Sequence, residues 1–161
     1  MNWQEFLSTE WYRYLDDEHK ALVRTTITLL EKHESLGQLE DYSFLIFPIA
    51  KVYEAFLKRY FLDAGLITQD SYYSKRLRIG RALNPDIRVQ HRDEWWLYDD
   101  IVRHCGKEVG DELWKAWLEG RNRTVHSFPG ETPLTSLATA EKRIQHMSTT
   151  MELALKCALE P

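Results

Sequence analysis

Apolar residues recur along this chain at intervals of three and four, the spacing of one helix face, far more often than they alternate as in a strand. Helix breakers are few, since the chain has only seven Gly and five Pro residues. Between Asp16 and Gly37, for example, an acidic start precedes a leucine and isoleucine stripe that stops at the glycine. The pattern therefore predicts an all-α fold.

The breakers divide the chain into a series of predicted helices joined by short loops. Pro48 is expected to kink its helix or to lie in the first turn, and Gly65 to end that helix. No repeat or linker-like stretch interrupts the series, so we expect one compact bundle of about five to seven helices over residues 1–161. The predicted helices cover roughly Trp3–Leu15, Asp16 to before Gly37, Asp41–Ala64, Ser71–Leu83, Asp93–Cys105, Asp111–His126 and Thr135–Leu159.

Length and composition fit a single folded domain. The chain has 161 residues, of which 43% are hydrophobic and 29% charged, and this excludes a disordered or low-complexity protein. Its net charge of −4 excludes a whole-molecule positive field, so any contact with nucleic acid must be local. The N-terminus lacks a signal-peptide pattern, and the longest apolar run, Phe44–Ala50, is too short to cross a bilayer. We expect a cytoplasmic protein without membrane contact.

Neither cysteine nor histidine spacing suggests a metal site. Cys105 and Cys157 form no Cys-x-x-Cys pair, so we expect reduced, partly buried thiols, with neither a disulfide nor a zinc site. His33 and His104 each lie near a single carboxylate, which is too few ligands for a metal ion. We therefore expect no metal and no cofactor.

Charge is unevenly distributed between two neighbouring segments. Residues 75–92 hold six basic residues and one acid, whereas residues 93–112 hold seven acids and two bases. Either the two form oppositely charged solvated faces that touch each other, or the basic segment contacts phosphates. The candidate phosphate-contacting residues are Lys75, Arg76, Arg78, Arg81 and, further along the chain, Arg123.

The segment Leu113–His126 departs from ordinary helix patterning. On a regular helix, Arg121 falls in the middle of an apolar stripe that includes Trp117 and Val125. A guanidinium cannot lose its proton, so such a position requires a carboxylate, an interface or a bound anion. Asn122 and His126 share the flank of the same helix. Alternatively, Arg121 extends along the tryptophans to water and His126 only ends the helix.

A partner for Arg121 is predicted on an earlier helix. Glu54 borders the apolar face of the segment Asp41–Ala64 and could meet the guanidinium. The alternative is an ordinary surface pair with Lys58 or Lys51.

The hexapeptide Arg121–His126, Arg-Asn-Arg-Thr-Val-His, resembles the HEPN superfamily motif, in which an arginine precedes a histidine by a short spacer, often as Arg-Asn-x-x-x-His. HEPN domains are small helical bundles that usually form homodimers, and many are metal-independent endoribonucleases of toxin–antitoxin and phage-defence systems. Residues 51–67 are similar to a helix of RNase LS-type toxins, in which a glutamate accompanies the arginine and histidine. The similarity covers most of this chain but only the C-terminal, catalytic and dimerising domain of such a toxin.

This resemblance implies a reaction and a role for each residue. An RNA 2′-hydroxyl would attack the adjacent phosphate to leave a 2′,3′-cyclic phosphate, with His126 moving the proton and Arg121 holding the phosphate. Asn122 would orient the His126 side chain or hold the active helix against its neighbour, and Glu54 would position Arg121. The implied partners are the RNA substrate, a second copy of the chain and an antitoxin protein. The alternative is a non-catalytic HEPN-like dimer that binds RNA or a protein.

Overall fold

The computed structural model describes residues 2–126, 130 and 134–159. Helices account for 74% of these residues, and no strand occurs among them, which confirms the predicted all-α class. None of the helices in this described part combines the length and the apolar character needed to span a membrane.

Five helices in the described part of the chain have seven or more residues. They are α1 (Asp17–Lys32), α2 (Phe47–Asp63), α3 (Tyr98–Cys105), α4 (Lys107–Ala116) and α5 (Leu137–Leu159). Helix α4 continues without a break as a π-helical turn, Trp117–Asn122, and a last α-helical turn, Arg123–Val125. Shorter helical pieces are Trp3–Ser8, Glu10–Tyr14, His33–Leu36, Ser43–Leu45, Gln69–Tyr73, Ile79–Ala82 and Val89–His91.

The predicted helix starts and stops hold best where a capping residue is present. Helix α1 begins after Asp16, whose side chain accepts a hydrogen bond from the His19 backbone N–H at 2.9 Å. Pro48 lies in the first turn of α2, where its missing N–H leaves no helical bond unmade. Gly65 follows α2 with a φ of 69°, a conformation that costs glycine little.

Several predicted helices were wrong in extent. The predicted helix Trp3–Leu15 is two short pieces, the helix predicted from Asp41 begins at Phe47, and the helix predicted from Asp111 begins at Lys107. The segment Ser71–Leu83 is two short helices, because Leu77 and Ile79 are both buried while Arg78 between them is exposed, which requires extended backbone. Helix α3 begins at Tyr98 instead of Asp93. The preceding Leu97 N–H is used in a bond to the Ala82 carbonyl at 2.9 Å, which ties this stretch to the earlier segment.

Helix α2 lies at the centre of the packing. It contacts both α1 and α5, while α4 packs against α3 and α5, and the buried side chains form one continuous apolar cluster. Two polar side chains that reach into this cluster are paired. The Trp11 indole N–H donates to Ser148 Oγ at 3.1 Å, and the Tyr53 hydroxyl donates to the Leu113 carbonyl at 3.0 Å. The second of these bonds joins α2 to α4.

A second tie holds the start of α5 beside the segment that leads into α2. The Thr135 N–H donates to Asp41 Oδ1 at 2.8 Å, and the Tyr42 N–H donates to the Thr135 carbonyl at 2.8 Å. Burial raises the pKa of Asp41, but hydrogen bonds from the Ser43 hydroxyl and from the Thr135 and Ser43 backbone amides outweigh it and leave this pKa below its ordinary value. The carboxylate is therefore the stable form in this tie.

The prediction of two reduced thiols was wrong, because Cys105 and Cys157 form a disulfide with a Cα–Cα separation of 5.6 Å. Cys105 ends α3 and Cys157 lies near the end of α5, 52 residues later. Spacing along the sequence carries no sign of this pairing, since it depends on how the two helix ends meet. The closed loop contains α4 and the whole Arg121–His126 motif.

We expect Cys157→Ser to lower the free energy of unfolding, because the disulfide closes a long loop in the unfolded chain. A bond of this kind typically contributes about 2–4 kcal/mol. Urea unfolding of wild type and variant, each with and without a phosphine reductant, measures the effect. Reductant should lower the wild-type midpoint and leave the variant unchanged, and equal wild-type midpoints would contradict the prediction.

Candidate functional site

The π-helical turn Trp117–Asn122 carries the arginine and asparagine of the motif. A π-helical turn has more residues per turn than an α-helix, so it changes the directions in which side chains leave the helix, and such turns are frequent at functional sites. The Leu113 carbonyl, just before the turn, accepts from both the Trp117 N–H and the Tyr53 hydroxyl. Burial, with a smaller contribution from the Glu112 charge, raises the pKa of Tyr53 well above its ordinary value, so the hydroxyl remains a donor.

Arg121 contacts three side chains at this turn. Its Nη1 lies 3.2 Å from His126 Nε2, and its Nη2 lies 3.7 Å from Glu54 Oε2. Its guanidinium carbon is 5.1 Å from the centre of the Trp117 ring, within range of a cation–π interaction. The structure thus brings together Arg121, His126 and Glu54, three residues that the sequence singled out.

The ion pair between Arg121 and Glu54 is open to solvent. The side chains are 29% and 33% exposed, respectively, so water screens the attraction, and pairs of this kind contribute about 0–1 kcal/mol to stability. Glu54 also contacts Lys58 Nζ at 3.3 Å, so both pairings considered for this carboxylate occur. Because the bond to Glu54 is weak, an incoming anion can compete for the guanidinium.

The contact between Arg121 and His126 has a defined direction, because a guanidinium can only donate and Nε2 of His126 is therefore the acceptor. A cation and an imidazole ring thus lie side by side at an exposed helix end.

A cleft of about 330 Å³ opens beside this pair, between α2 and the π-helical turn. Of the described residues that line it, Lys51 and Arg121 are cations and Glu54 is the one acid. Phe47 and Val125 form its apolar rim and are 41% and 45% exposed, although the regular-helix pattern predicts Val125 on a buried stripe. The π-helical turn accounts for the difference, because it rotates the residues that follow it.

A contact that the sequence analysis did not predict joins the last turn of the motif to α5. Arg143 of α5 donates to the Thr124 hydroxyl at 3.2 Å. Burial lowers the pKa of Arg143, partly offset by the Glu119 charge, but an arginine keeps its proton. The sequence did carry a signal for this contact, since Arg143 is a charged residue that borders the buried face of α5.

Asn122 contributes its backbone carbonyl, which accepts from the His126 N–H at 3.1 Å, and the role of its side chain stays a prediction.

The basic and acidic segments contact each other, as the first of the two interpretations expects. Arg81 Nη2 lies 3.0 Å from Asp93 Oδ2, and Arg92 Nη1 lies 3.6 Å from Asp99 Oδ2. Arg81 is therefore partly neutralised. The exposed candidate RNA-binding residues are Lys75, Arg76, Arg78, Arg81 and Arg123, and their contact with RNA stays a prediction.

A second, wider cleft of about 730 Å³ lies between α4 and α5. A hydrogen-bonded pair lines it, with His146 Nε2 2.7 Å from Glu112 Oε2. Glu119 and Glu141 also line this cleft, and with Glu112 they outnumber the two lysines in the lining, Lys115 and Lys142, so the cleft is less favourable for a polyanion than one with an excess of cations. The cleft at Arg121 is the better candidate for binding phosphate.

Two glycines allow close packing on either side of the π-helical turn. A Cβ at Gly80 would lie 2.6 Å from Nε1 of the Trp117 indole, which is only 5% exposed. A Cβ at Gly120 would lie 2.9 Å from Sδ of the buried Met147. The Trp117 ring, which lies beside the Arg121 guanidinium, thus packs directly against a glycine whose missing side chain leaves room for it.

We expect Gly80→Ala to lower the free energy of unfolding by about 1–3 kcal/mol, because the rigid Trp117 indole has no room to move. Gly120→Ala is the matched control and should cost less, since the Met147 thioether is flexible and alanine favours the helix. Urea unfolding followed by tryptophan fluorescence compares the two variants. Equal effects, or a larger loss from Gly120→Ala, would show that the Trp117 contact is not tight.

Comparison with known proteins adds no family to this picture. No protein-family model, no curated protein and no solved structure matches the chain. The site's own residues and their geometry are therefore what supports a function.

Proposed function

We propose that this chain is a metal-independent endoribonuclease of the HEPN type, acting in toxin–antitoxin or phage-defence systems. The observation that carries the proposal is the contact between Arg121 Nη1 and His126 Nε2 at 3.2 Å, within an Arg-Asn-x-x-x-His motif. The Glu54 carboxylate beside Arg121 and the all-α fold are further support. The antitoxin partner is implied by the resemblance alone.

In the proposed reaction, His126 Nε2 accepts the proton of an RNA 2′-hydroxyl. The oxygen then attacks the adjacent phosphorus, the bond to the 5′-oxygen breaks, and that oxygen takes up a proton. The products are a 2′,3′-cyclic phosphate and a 5′-hydroxyl. Histidine suits this task because its charge changes near neutral pH, and a well-placed acid or base contributes about 10²–10⁴-fold.

Arg121 would bind the phosphate as the negative charge on it grows. Its planar guanidinium can donate two parallel hydrogen bonds to the non-bridging oxygens, which a lysine cannot do. To reach the phosphate, it would exchange the contact with His126 for one with the substrate, and Nε2 would then accept the proton of the 2′-hydroxyl in place of the hydrogen bond from Arg121. Glu54 would keep the other side of the guanidinium in place through Nη2.

One histidine supplies only half of an acid–base pair, and a second copy of the chain would supply the other half. The exposed rings and methyl groups of Phe47 and Val125, on the rim of the cleft, suit burial in a two-fold interface. In such a dimer the two motifs would face each other across the interface. The exposed basic residues from Lys75 to Arg81, together with Arg123, would then contact the RNA backbone.

The second candidate function is a non-catalytic HEPN-like dimer that binds RNA or a protein. The contacts of Arg121 with Glu54 and Trp117 favour it, because they give the arginine a structural role without any substrate. In this alternative His126 is dispensable, whereas loss of Arg121 weakens the interface.

His126→Ala should abolish cleavage of mixed cellular RNA by the purified protein in excess EDTA, a loss of about 10²-fold or more for a general acid or base. His91→Ala removes another exposed imidazole and should cleave like wild type. Analysis of the product ends should find cyclic phosphates. Equal cleavage by wild type and His126→Ala, or none by either, would favour the binding module.

Phe47→Asp should convert the dimer to monomers and remove cleavage, because a charge on the rim cannot be buried against the second copy. Leu36→Asp is the matched control, since Leu36 is 57% exposed and lies outside the cleft lining. Sedimentation and RNA cleavage on the same samples test both effects, with circular dichroism to check helix content. A monomer that cleaves at the full rate would contradict the dimer model.

A further inference from the structure

The disulfide end of the molecule gathers three groups that bind soft and borderline metal ions. A ring nitrogen of His104 and the sulfur atoms of Cys105 and Cys157 all lie within 4.8 Å of one another. The two cysteine Cα atoms are 5.6 Å apart. Thiolate and imidazole are the ligands that Zn²⁺ prefers, and two cysteines with one histidine form a known class of zinc site.

The surroundings leave these groups accessible. His104 is exposed and both cysteines are half-buried, so reductant and metal ions can reach them. A cleft of about 440 Å³ adjoins His104, and its lining includes the carboxylates of Glu10 and Asp63. The Tyr60 hydroxyl, also in the lining, lies 3.1 Å from Cys105 Sγ. Because His104 is exposed, a metal ion held by the three ligands would have a fourth position open to solvent.

We propose that reduction of the disulfide converts His104, Cys105 and Cys157 into a binding site for Zn²⁺ or a similar divalent cation. A dithiol or phosphine reductant supplies two electrons, the S–S bond breaks, and each sulfur takes up a proton. On binding the cation, each thiol releases its proton to solvent and forms a metal–thiolate bond. A ring nitrogen of His104 donates its lone pair, and a water molecule fills the fourth position.

The backbone separation suits this exchange. With Zn–S bonds of about 2.3 Å, the two sulfurs of a tetrahedral site lie roughly 3.8 Å apart. Rotation about the Cα–Cβ bonds can bring about this change while the Cα atoms stay at 5.6 Å. The ends of α3 and α5 are then joined in either state, by a covalent bond when oxidised and through the metal ion when reduced.

This site is separate from the Arg121 site and does not rest on the proposed function. Arg143, which contacts the motif, lies 14 positions before Cys157 on α5, since 157 minus 143 is 14. At a rise of 1.5 Å per residue, these two residues lie roughly 21 Å apart along the axis of α5. RNA cleavage in EDTA therefore tests one site and metal binding the other.

Titration with Co²⁺ tests the proposal, because a tetrahedral cobalt–thiolate centre has characteristic visible bands and a sulfur-to-metal charge-transfer band. The full-length protein is reduced with a phosphine and titrated anaerobically, beside an untreated oxidised sample. We expect one equivalent of Co²⁺ to give both bands in the reduced protein, Zn²⁺ to displace it, and the oxidised protein to give neither band.

Variants identify the ligands. His104→Ala should weaken Co²⁺ binding by about tenfold or more, and Cys157→Ser should lower the charge-transfer intensity. His91→Ala, the matched exposed histidine, should bind like wild type. Protection of the reduced wild-type thiols from alkylation by Zn²⁺ supplies a readout that needs no variant. Absence of a charge-transfer band and of zinc protection in the reduced wild type, or equal affinity of His104→Ala and His91→Ala, would overturn the proposal.

Discussion

The hydrogen bond from the buried Tyr53 hydroxyl to the Leu113 carbonyl sets the relation between the two helices that build the candidate site. A polar group inside an apolar cluster is costly unless it is paired, so this bond permits only a narrow range of positions of α2 against α4. Glu54 follows Tyr53 directly. The helix register that buries the tyrosine therefore directs the next side chain toward the edge where Arg121 lies.

The π-helical turn determines the directions in which the side chains of the motif leave this packed helix. A regular helix would bury Arg121 within a hydrophobic stripe, and the observed arginine is instead partly exposed, stacked near Trp117 and paired with Glu54. The turn forms where Trp117 packs against Gly80 and Gly120 packs against Met147. Local packing thus accompanies a helical turn that keeps this guanidinium from being buried within the hydrophobic stripe.

Much of the fold could be predicted from local signals in the sequence. Caps such as Asp16 and Gly65 end or begin helices through bonds with near neighbours, and those boundaries hold. The association of Arg121 with Glu54 was one of two pairings that the sequence suggested, because each residue is a charge that borders an apolar helix face, and the structure contains both this pair and the one with Lys58. Whether these residues cleave RNA is a question of chemistry that patterning cannot answer.

The features that escaped prediction all depend on contacts between distant parts of the chain. The break between Tyr73 and Ile79 follows from burial of Leu77, and the start of α3 follows from a bond to Ala82. The π-helical turn packs against two other elements, the short helix that contains Gly80 and the helix α5, which contains Met147. The disulfide joins residues 52 positions apart, a separation at which sequence spacing carries no information.

The disulfide also changes the covalent topology of the molecule. Residues from Cys105 to Cys157 form a closed ring that includes α4, the Arg121–His126 motif and most of α5. A protease that cuts one peptide bond inside this ring opens the circle without releasing a fragment. After such a cut, Arg121 and Glu54 would still belong to one covalent molecule. In the oxidised protein, a single cleaved peptide bond within this ring therefore leaves the motif covalently attached to the rest of the chain.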